Sequence, residues 1–300
     1  METLFDCIIA GSGPAGMTAA LYMCRAGYKT CLITGEEPFG SLGKISLIEN
    51  FPGIDSISGY DLALKMSEQL NQFEDNKILT RYLFVDALKY TVIEDNIIMT
   101  LSDGSEVIGK TLIETIGGQH NVLGLSGESE FYGNGISFCA TCDGPLYKDK
   151  NVTIIGGGNS AMDFALTLSK YCKHVNIIHR RNELRADSYM IQKVSQLSNV
   201  KINLNTIVSE IHKNKELNMF ELITETAGNT EKYVSFAHGI FYALGFKQKR
   251  LETDNIKKID NIFYAGDCID TKYRQVITAC GDGCKAALDC IEYLQLKKGN

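Results

Sequence analysis

No stretch of the 300-residue chain approaches the roughly 18 uninterrupted apolar residues that a bilayer-spanning helix requires. The apolar start Leu4 to Ala10 runs into a glycine motif rather than a cleavage site, so the sequence reads as neither membrane-inserted nor exported, and a cytoplasmic location is expected. An excess of basic charge is missing as well. The 30 Lys and Arg stand against 36 Asp and Glu, a net charge of −6. That excludes broad electrostatic adhesion to nucleic acid and confines any basic site to a local cluster. A zinc ligand set is also lacking, because Cys139-x-x-Cys142 has no second Cys-x-x-Cys and no histidine close in sequence. No metal is expected. Of the ten cysteines, Cys7, Cys24, Cys31 and Cys172 sit singly inside apolar runs, the habit of reduced core thiols. Cys280 and Cys284 lie four apart on a candidate helix with no further ligands beside them.

What is present is one device used twice. Apolar Leu4 to Ala10, the turn Gly11-Ser12-Gly13-Pro14-Ala15-Gly16, small and apolar residues to Ala26, a stop at Gly27 and the segment Lys29 to Thr34 read as strand, helix, strand. The pattern returns with strand Val152 to Ile155, the turn Gly156-Gly157-Gly158-Asn159-Ser160-Ala161, a helix through Tyr171 and a strand Val175 to His179. Ser58 to Phe73 reads as one helix, with Leu62, Met66, Leu70 and Phe73 on one face behind a Ser58 cap. Residues 78–113 and 201–244 alternate in short runs, the pattern of a small antiparallel layer attached to each fold. Ile277 to Leu296 reads as a long closing helix, weakened by Gly281 and Gly283. The expected class is therefore α/β, with two nucleotide-binding folds, each a parallel sheet plus a small antiparallel layer.

The glycine turns let the backbone approach a pyrophosphate, and the helix behind each offers free N–H groups and the positive end of its dipole. Two copies, each between a strand and a helix, are far more specific than one. The nucleotides differ. Twenty-five residues past the first glycine stands Glu36 in the first copy, beside Glu37, and Arg181 in the second, beside Arg180, with Arg185 one turn on. A carboxylate accepts from a free ribose hydroxyl, whereas guanidinium forks match a 2′-phosphate, so the second fold is expected to prefer NADPH to NADH. The plainer alternative is a solvated basic patch. Cys139-Ala140-Thr141-Cys142 reads as a redox dithiol, since one lowered thiol pKa supplies the thiolate that exchange needs. Asp143 could supply and accept the proton that a hydride does not carry; alternatively it is a turn carboxylate before Gly144.

These residues together, Cys139 to Gly144, Gly156 to Ala161 and His179-Arg180-Arg181-Asn182-Glu183-Leu184-Arg185, resemble bacterial low-molecular-weight thioredoxin reductases. Glu49-Asn50-Phe51-Pro52-Gly53, Gly127-Glu128, Ala265-Gly266-Asp267 and Arg274-Gln275 also look like that family's motifs, and the resemblance covers nearly the whole chain. It implies a homodimer of two Rossmann-like domains: a split FAD domain, 1–115 and 246–300, around an inserted NADPH domain, 116–245, that carries the redox pair. It implies reduction of thioredoxin, or a thioredoxin-like protein disulfide, with hydride passing from NADPH to FAD and on to the Cys139–Cys142 disulfide, Cys142 nearer the flavin, while the NADPH domain alternates between two orientations. FAD would meet Gly11, Gly13, Pro14, Ala15, Gly16, Thr34, Gly35, Glu36, Gly40, Ser41, Asn50, Gly266, Asp267, Arg274 and Gln275. NADPH would meet Gly156, Gly158, Asn159, Ser160, Ala161, His179, Arg180, Arg181 and Arg185.

Three departures from the family pattern carry expectations of their own. Phe39-Gly40-Ser41-Leu42 stands where Gly-Gly-Gln-Leu is usual, which removes a permissive glycine and an amide and implies looser FAD binding. Thr115-Ile116-Gly117 stands for Ala-Thr-Gly, which implies different crossover hydrogen bonds. Gly245 to Ile262 is abbreviated, with Lys247-Gln248-Lys249-Arg250 in place of Pro-Asn, which implies an altered edge of the FAD domain. Competing functions are a ferredoxin-linked reductase, a small-molecule dithiol oxidase, or a slow redox-sensing nucleotide-binding module.

Overall fold

The computed structural model describes residues 3–45, 47–226, 231–254, 260–270 and 273–298. Part of the abbreviated stretch, 255–259, lies outside the described residues, as do 227–230 within the second alternating region. The chain divides into two compact units, one formed by residues 1–119 with 247–300 and the other by 120–246.

The first unit opens with β1 (Leu4–Ala10), α1 (Pro14–Arg25) and β2 (Thr30–Ile33). Gly13 is the extended N-cap of α1 and Pro14 its first residue, where the missing N–H costs nothing. Next come α2 (Gly59–Glu68), α3 (Asn71–Asp75) and β3 (Leu79–Tyr82). The single helix expected over Ser58 to Phe73 is thus two. Ser58 caps the first as expected, its Oγ accepting from the Asp61 N–H at 3.0 Å. The break follows because an Arg81 guanidinium donates to the Ser67 carbonyl at 2.8 Å, and a 3-10-type bond from the Leu70 N–H to that carbonyl turns Leu70 into the core, where it is 1% exposed. The chain continues through β4 (Ala87–Ile93), β5 (Asn96–Leu101) and β6 (Glu106–Glu114).

Only β4, β5 and the start of β6 behave as the antiparallel layer expected over 78–113. β3 pairs parallel with β2, and β6 pairs parallel with β1 from Ile108 to Glu114. β6 also pairs antiparallel with β5 through residues 106–109. One long strand therefore belongs to both layers, and its alternation reveals only one of them. In β1, Cys7 and Ile9 enter one core cluster with α1, while Phe5, Ile8 and Ala10 enter another with Tyr90, Ile97 and Met99. Burial on both faces explains the apolar run, which Asp6 alone interrupts.

The second unit follows β7 (Gly118–His120) and contains β8 (Ile136–Ser137), α4 (Ala140–Asp143), β9 (Asn151–Ile155), α5 (Asn159–Leu168), β10 (His174–Ile178), α6 (Ser188–Ser195) and β11 (Val200–Asn203). β12 (Thr206–Asn214), β13 (Met219–Thr226), β14 (Lys232–Ala237) and β15 (Gly239–Tyr242) complete it. Its parallel sheet has the order β11-β10-β9-β15-β8, and β12-β13-β14 form a separate antiparallel sheet. Here the small layer is β12 to β14, while β11 and β15, from the same alternating stretch, are strands of the parallel sheet. α5 stops three residues short of the expected Tyr171, because the Asn199 amide donates to the carbonyls of Ser169 and Cys172 at 2.9 and 3.0 Å and ends the helix there.

β16 (Phe246–Gln248) leads back to the first unit, where β17 (Glu252–Thr253) pairs with β4, β18 (Ile262–Tyr264) pairs with the C-terminal half of β6, and α7 (Val276–Lys298) closes the chain. Gly283 does not weaken α7. A Cβ there would stand 2.1 Å from the Ala15 carbonyl oxygen, so the glycine lets α7 lie directly on the start of α1. Gly283→Val is expected to destabilise the protein by about 3 kcal/mol through overpacking, read as a lower midpoint in thermal or denaturant unfolding; an unchanged midpoint would contradict the close packing.

Candidate active site

The two glycine turns use their glycines in the same way. In the first, Gly11 adopts φ +108, and a Cβ on it would meet the Thr115 carbonyl oxygen at 2.6 Å. In the second, Gly156 adopts φ +151, and its Cβ would meet the Ala243 carbonyl oxygen at 2.4 Å. These glycines pack on the strand leaving the sheet beside them. Gly13 and Gly158, by contrast, have nothing within 4 Å of a Cβ, so this side of each turn is open to a ligand. Neither α1 nor α5 carries an acidic residue in its first turn, which leaves the positive helix end for an anion. Pro14, Ala15 and Gly16 form the first turn of α1, and Asn159, Ser160 and Ala161 that of α5.

Around the first turn, the Ser12 hydroxyl donates to the Thr34 carbonyl at 2.8 Å and accepts from the Phe39 N–H at 3.3 Å. The Thr34 Oγ1 accepts from Phe84 N–H at 3.0 Å. The Thr115 hydroxyl reaches the carbonyls of Ala10 and Gly11 at 2.8 and 2.9 Å, tying the end of β6 to the loop. Gly35 takes φ +82, and the next N–H, of Glu36, donates to Asp86 at 3.1 Å. The Glu36 side chain is exposed, at the end of the second strand where the ribose reading needs it. Glu37 instead pairs with Lys44, which holds its carboxyl below the usual range.

Gly40 and Ser41 open a 3-10 turn, Gly40–Lys44, and Phe39 before it sits at φ +74. A phenylalanine in the left-handed region costs about 1 kcal/mol relative to glycine; its ring meets Tyr60 edge-on at 5.8 Å. Asn50 and Gln275, far apart in sequence, are brought together, the Asn50 amide donating to Gln275 Oε1 at 3.3 Å. Gly266 and Asp267 lie in a 3-10 turn, Gly266–Cys268, with Gly266 against Ala15 of α1. Burial pushes the Asp267 carboxyl up to about 6 from its usual 3.8, against the opposing pull of Arg274.

A carboxyl raised on folding stabilises the protein fully below its unfolded pKa and loses that contribution as pH rises through the folded value. Flavin-free protein is therefore expected to lose about 2 kcal/mol between pH 4 and 7 relative to its Asp267→Asn variant. Denaturant melts of both proteins across that range check it; parallel curves would contradict it.

At the crossover, Ile116 packs against the second core cluster, and the Gly117 carbonyl accepts from the Lys249 N–H at 3.1 Å. The described part of the abbreviated segment is anchored by Glu114, whose buried carboxylate accepts from the Leu251 N–H at 3.1 Å. Arg250 lies 3.9 Å from that carboxylate and stacks on the Tyr264 ring.

In the second unit Cys139 and Cys142 form a disulfide, and both cysteines are half-buried. The Cys142 N–H donates to Cys139 Sγ at 3.1 Å. Asp143 accepts from the Ser137 hydroxyl at 2.6 Å; burial raises its carboxyl pKa and Ser137 opposes the rise. On the nucleotide side, the buried His179 ring packs on Gly157, where a Cβ would come within 2.4 Å of it. His179 Nε2 pairs with the Glu183 carbonyl at 3.0 Å, and burial lowers its pKa, with the three nearby arginines adding to the effect. The Arg185 N–H donates to the Gly157 carbonyl at 2.7 Å, so the arginine loop is bonded directly to the glycine turn. Among the described residues no carboxylate pairs with Arg180, Arg181 or Arg185, and all three are exposed. Asn159 is engaged elsewhere, its amide exchanging hydrogen bonds with Asp187 at 2.8 and 2.9 Å.

Cys7, Cys24, Cys31 and Cys172 are buried free thiols, as the sequence implies, and Cys280 and Cys284 are free and partly exposed. Among the described residues, no helix is long and apolar enough to cross a membrane, and no cluster of His, Cys, Asp and Glu could hold a metal.

The family model for pyridine nucleotide-disulphide oxidoreductases matches residues 5–283, and the thioredoxin reductase of Mycoplasma pneumoniae is 36% identical over 304 residues, covering 96% of this chain and 94% of the relative. The chain belongs to the thioredoxin reductases of that family. A thioredoxin reductase of Streptomyces clavuligerus is 37% identical over 313 residues, covering 98% of this chain and 95% of its own. The crystal structure of thioredoxin reductase from Streptococcus pyogenes superposes with a TM-score of 0.87 at 30% identity, covering 98% of this chain and 99% of that one. Membership carries the use of a flavin and a nicotinamide nucleotide.

Proposed function

We propose that the protein reduces the disulfide of a thioredoxin or thioredoxin-like protein with NADPH, through FAD and the Cys139–Cys142 pair. The observation that carries this is a half-buried disulfide beside a half-buried, hydrogen-bonded carboxyl, in the same unit as a glycine turn bonded to the Arg185 N–H, in a loop whose arginines have no carboxylate partner among the described residues. FAD would be held by the 1–115 and 246–300 segments: the first turn from Gly11 to Gly16, Thr34, Gly35 and Glu36 at the end of β2, Gly40 and Ser41, Asn50 with Gln275, and Gly266, Asp267 and Arg274. NADPH would be held by the domain of residues 116–245, on the turn from Gly156 to Ala161, with His179 setting the floor and Arg180, Arg181 and Arg185 meeting the 2′-phosphate. The open faces of Gly13 and Gly158 and the absence of acidic residues at both helix starts fit both nucleotides.

Bound flavin would supply hydride transfer between the nicotinamide and the disulfide. The chain's own residues do the rest. One cysteine becomes the thiolate that attacks the partner disulfide, and Asp143, whose carboxyl is made harder to ionise by burial, holds and returns the proton. The family's homodimer and a cytoplasmic setting complete the proposal.

The test is a coupled assay on FAD-replete protein, following NADPH oxidation with a thioredoxin and a terminal disulfide dye, with NADH in parallel. Strong NADPH-specific turnover is the expected result. A flavin-loaded protein inert to NADPH would instead favour a different electron donor, and oxygen uptake with a dithiol alone would favour the oxidase.

A further inference from the structure

Ser137, on β8, is 5% exposed, yet its hydroxyl touches two parts of the redox segment. It donates to Asp143 Oδ2 at 2.6 Å and accepts from the Cys139 N–H at 3.0 Å. The Cys139 carbonyl lies farther, at 3.3 Å, so the single hydroxyl proton goes to the nearer and charged acceptor. That carbonyl is instead taken by the Asp143 N–H at 3.1 Å. Cys139 and Asp143 are thus joined twice, once by backbone and once through Ser137. Tyr147, from the turn after α4, also faces Asp143; its phenol is pushed up to about 12 by burial first, then by Asp143 and Cys172.

We propose that Ser137 is a positioning residue for disulfide reduction: by binding one oxygen of Asp143 and the Cys139 peptide together, it leaves the other oxygen to carry the proton at the cysteine pair. This rests on the reading of Cys139–Cys142 as the redox pair. Reduction breaks one S–S bond and takes up one hydride and one proton, giving two thiols. The return exchange hands two electrons and both protons to the partner disulfide. Each half of the cycle needs Asp143 in one place with its proton on a defined oxygen, and a carboxyl without Ser137 is free to turn about its side-chain torsions.

The experiment compares FAD-loaded wild type, Ser137→Ala and Ser137→Thr in pH profiles of thioredoxin reduction from about pH 5 to 9, with flavin reduction by NADPH measured separately. For Ser137→Ala we expect kcat near neutrality to fall about 10-fold and the acid limb to move up by about one pH unit, because the carboxylate loses a donor. KM for thioredoxin and flavin reduction by NADPH should stay within about twofold, and the hydroxyl kept by Ser137→Thr should restore both rate and profile. An unshifted acid limb in Ser137→Ala, or a defect that threonine does not relieve, overturns the proposal. If the alanine variant does not accumulate with FAD, Ser137→Gly removes the same hydroxyl and is judged by the same criteria. A wild type that fails to reduce thioredoxin with NADPH overturns the redox-pair reading itself, and is seen without any variant.

Discussion

Cys142→Ser is expected to cut NADPH-dependent thioredoxin reduction by about a thousandfold or more while the protein keeps its flavin and still bleaches it with NADPH. The size follows from the chemistry. Disulfide exchange needs a thiolate to attack and a second thiol to release the mixed disulfide, and a single cysteine completes only half of that sequence. The one other thiol of this unit, Cys172, is buried. Of the eight free cysteines, six are buried, and Cys280 and Cys284 lie on α7 of the other unit. The measurement is stopped-flow flavin absorbance together with the coupled assay. Loss of both signals would mean that the substitution damaged the fold, whereas retention of turnover would remove the Cys139–Cys142 pair from the mechanism.

The second large effect belongs to the arginines. Arg180→Ala with Arg181→Ala is expected to raise KM for NADPH about 100-fold and to change KM for NADH by less than about threefold, so the preference between the two collapses. Each guanidinium–phosphate contact is charge-assisted, and none of these side chains has a carboxylate partner among the described residues to compete for it. Removing them therefore takes away ligand contacts without leaving a protein charge unpaired. Steady-state kinetics with both nucleotides decides the point. An equal loss for NADH and NADPH would assign the arginines to the shared pyrophosphate rather than to the 2′-phosphate.

Both glycine turns, the helix starts behind them and the redox pair were legible in the sequence because each is a local device, complete within a few residues. The alternating stretches were harder. Residues 79–82 and β6 read as an antiparallel layer, yet they pair parallel with β2 and β1, because alternation reports the faces of a strand and not the direction of its neighbours. The supporting hydroxyls were missed for a related reason. Thr115 meets Gly11 across 104 residues, and nothing near either residue announces the other. Ser137 was closer to hand, two residues before Cys139 and six before Asp143, and a hydroxyl at that spacing was a usable signal. Gly283 looked like a flaw in a helix because its reason, the Ala15 carbonyl, sits at the opposite end of the chain.

That last contact orders events during synthesis. Residues 120–246 form a contiguous unit, with every strand of its parallel sheet available once they have been made, so it can fold while the ribosome is still adding the remainder. The first unit is made first but finishes last. β18 must still pair with β6 and α7 must still cover α1, and until they arrive one side of α1 and the end of β6 stay uncovered. The nascent chain thus carries a finished nucleotide fold flanked by an unfinished one, and a ribosome stalled before Gly283 would display the exposed start of α1 as a target for chaperones.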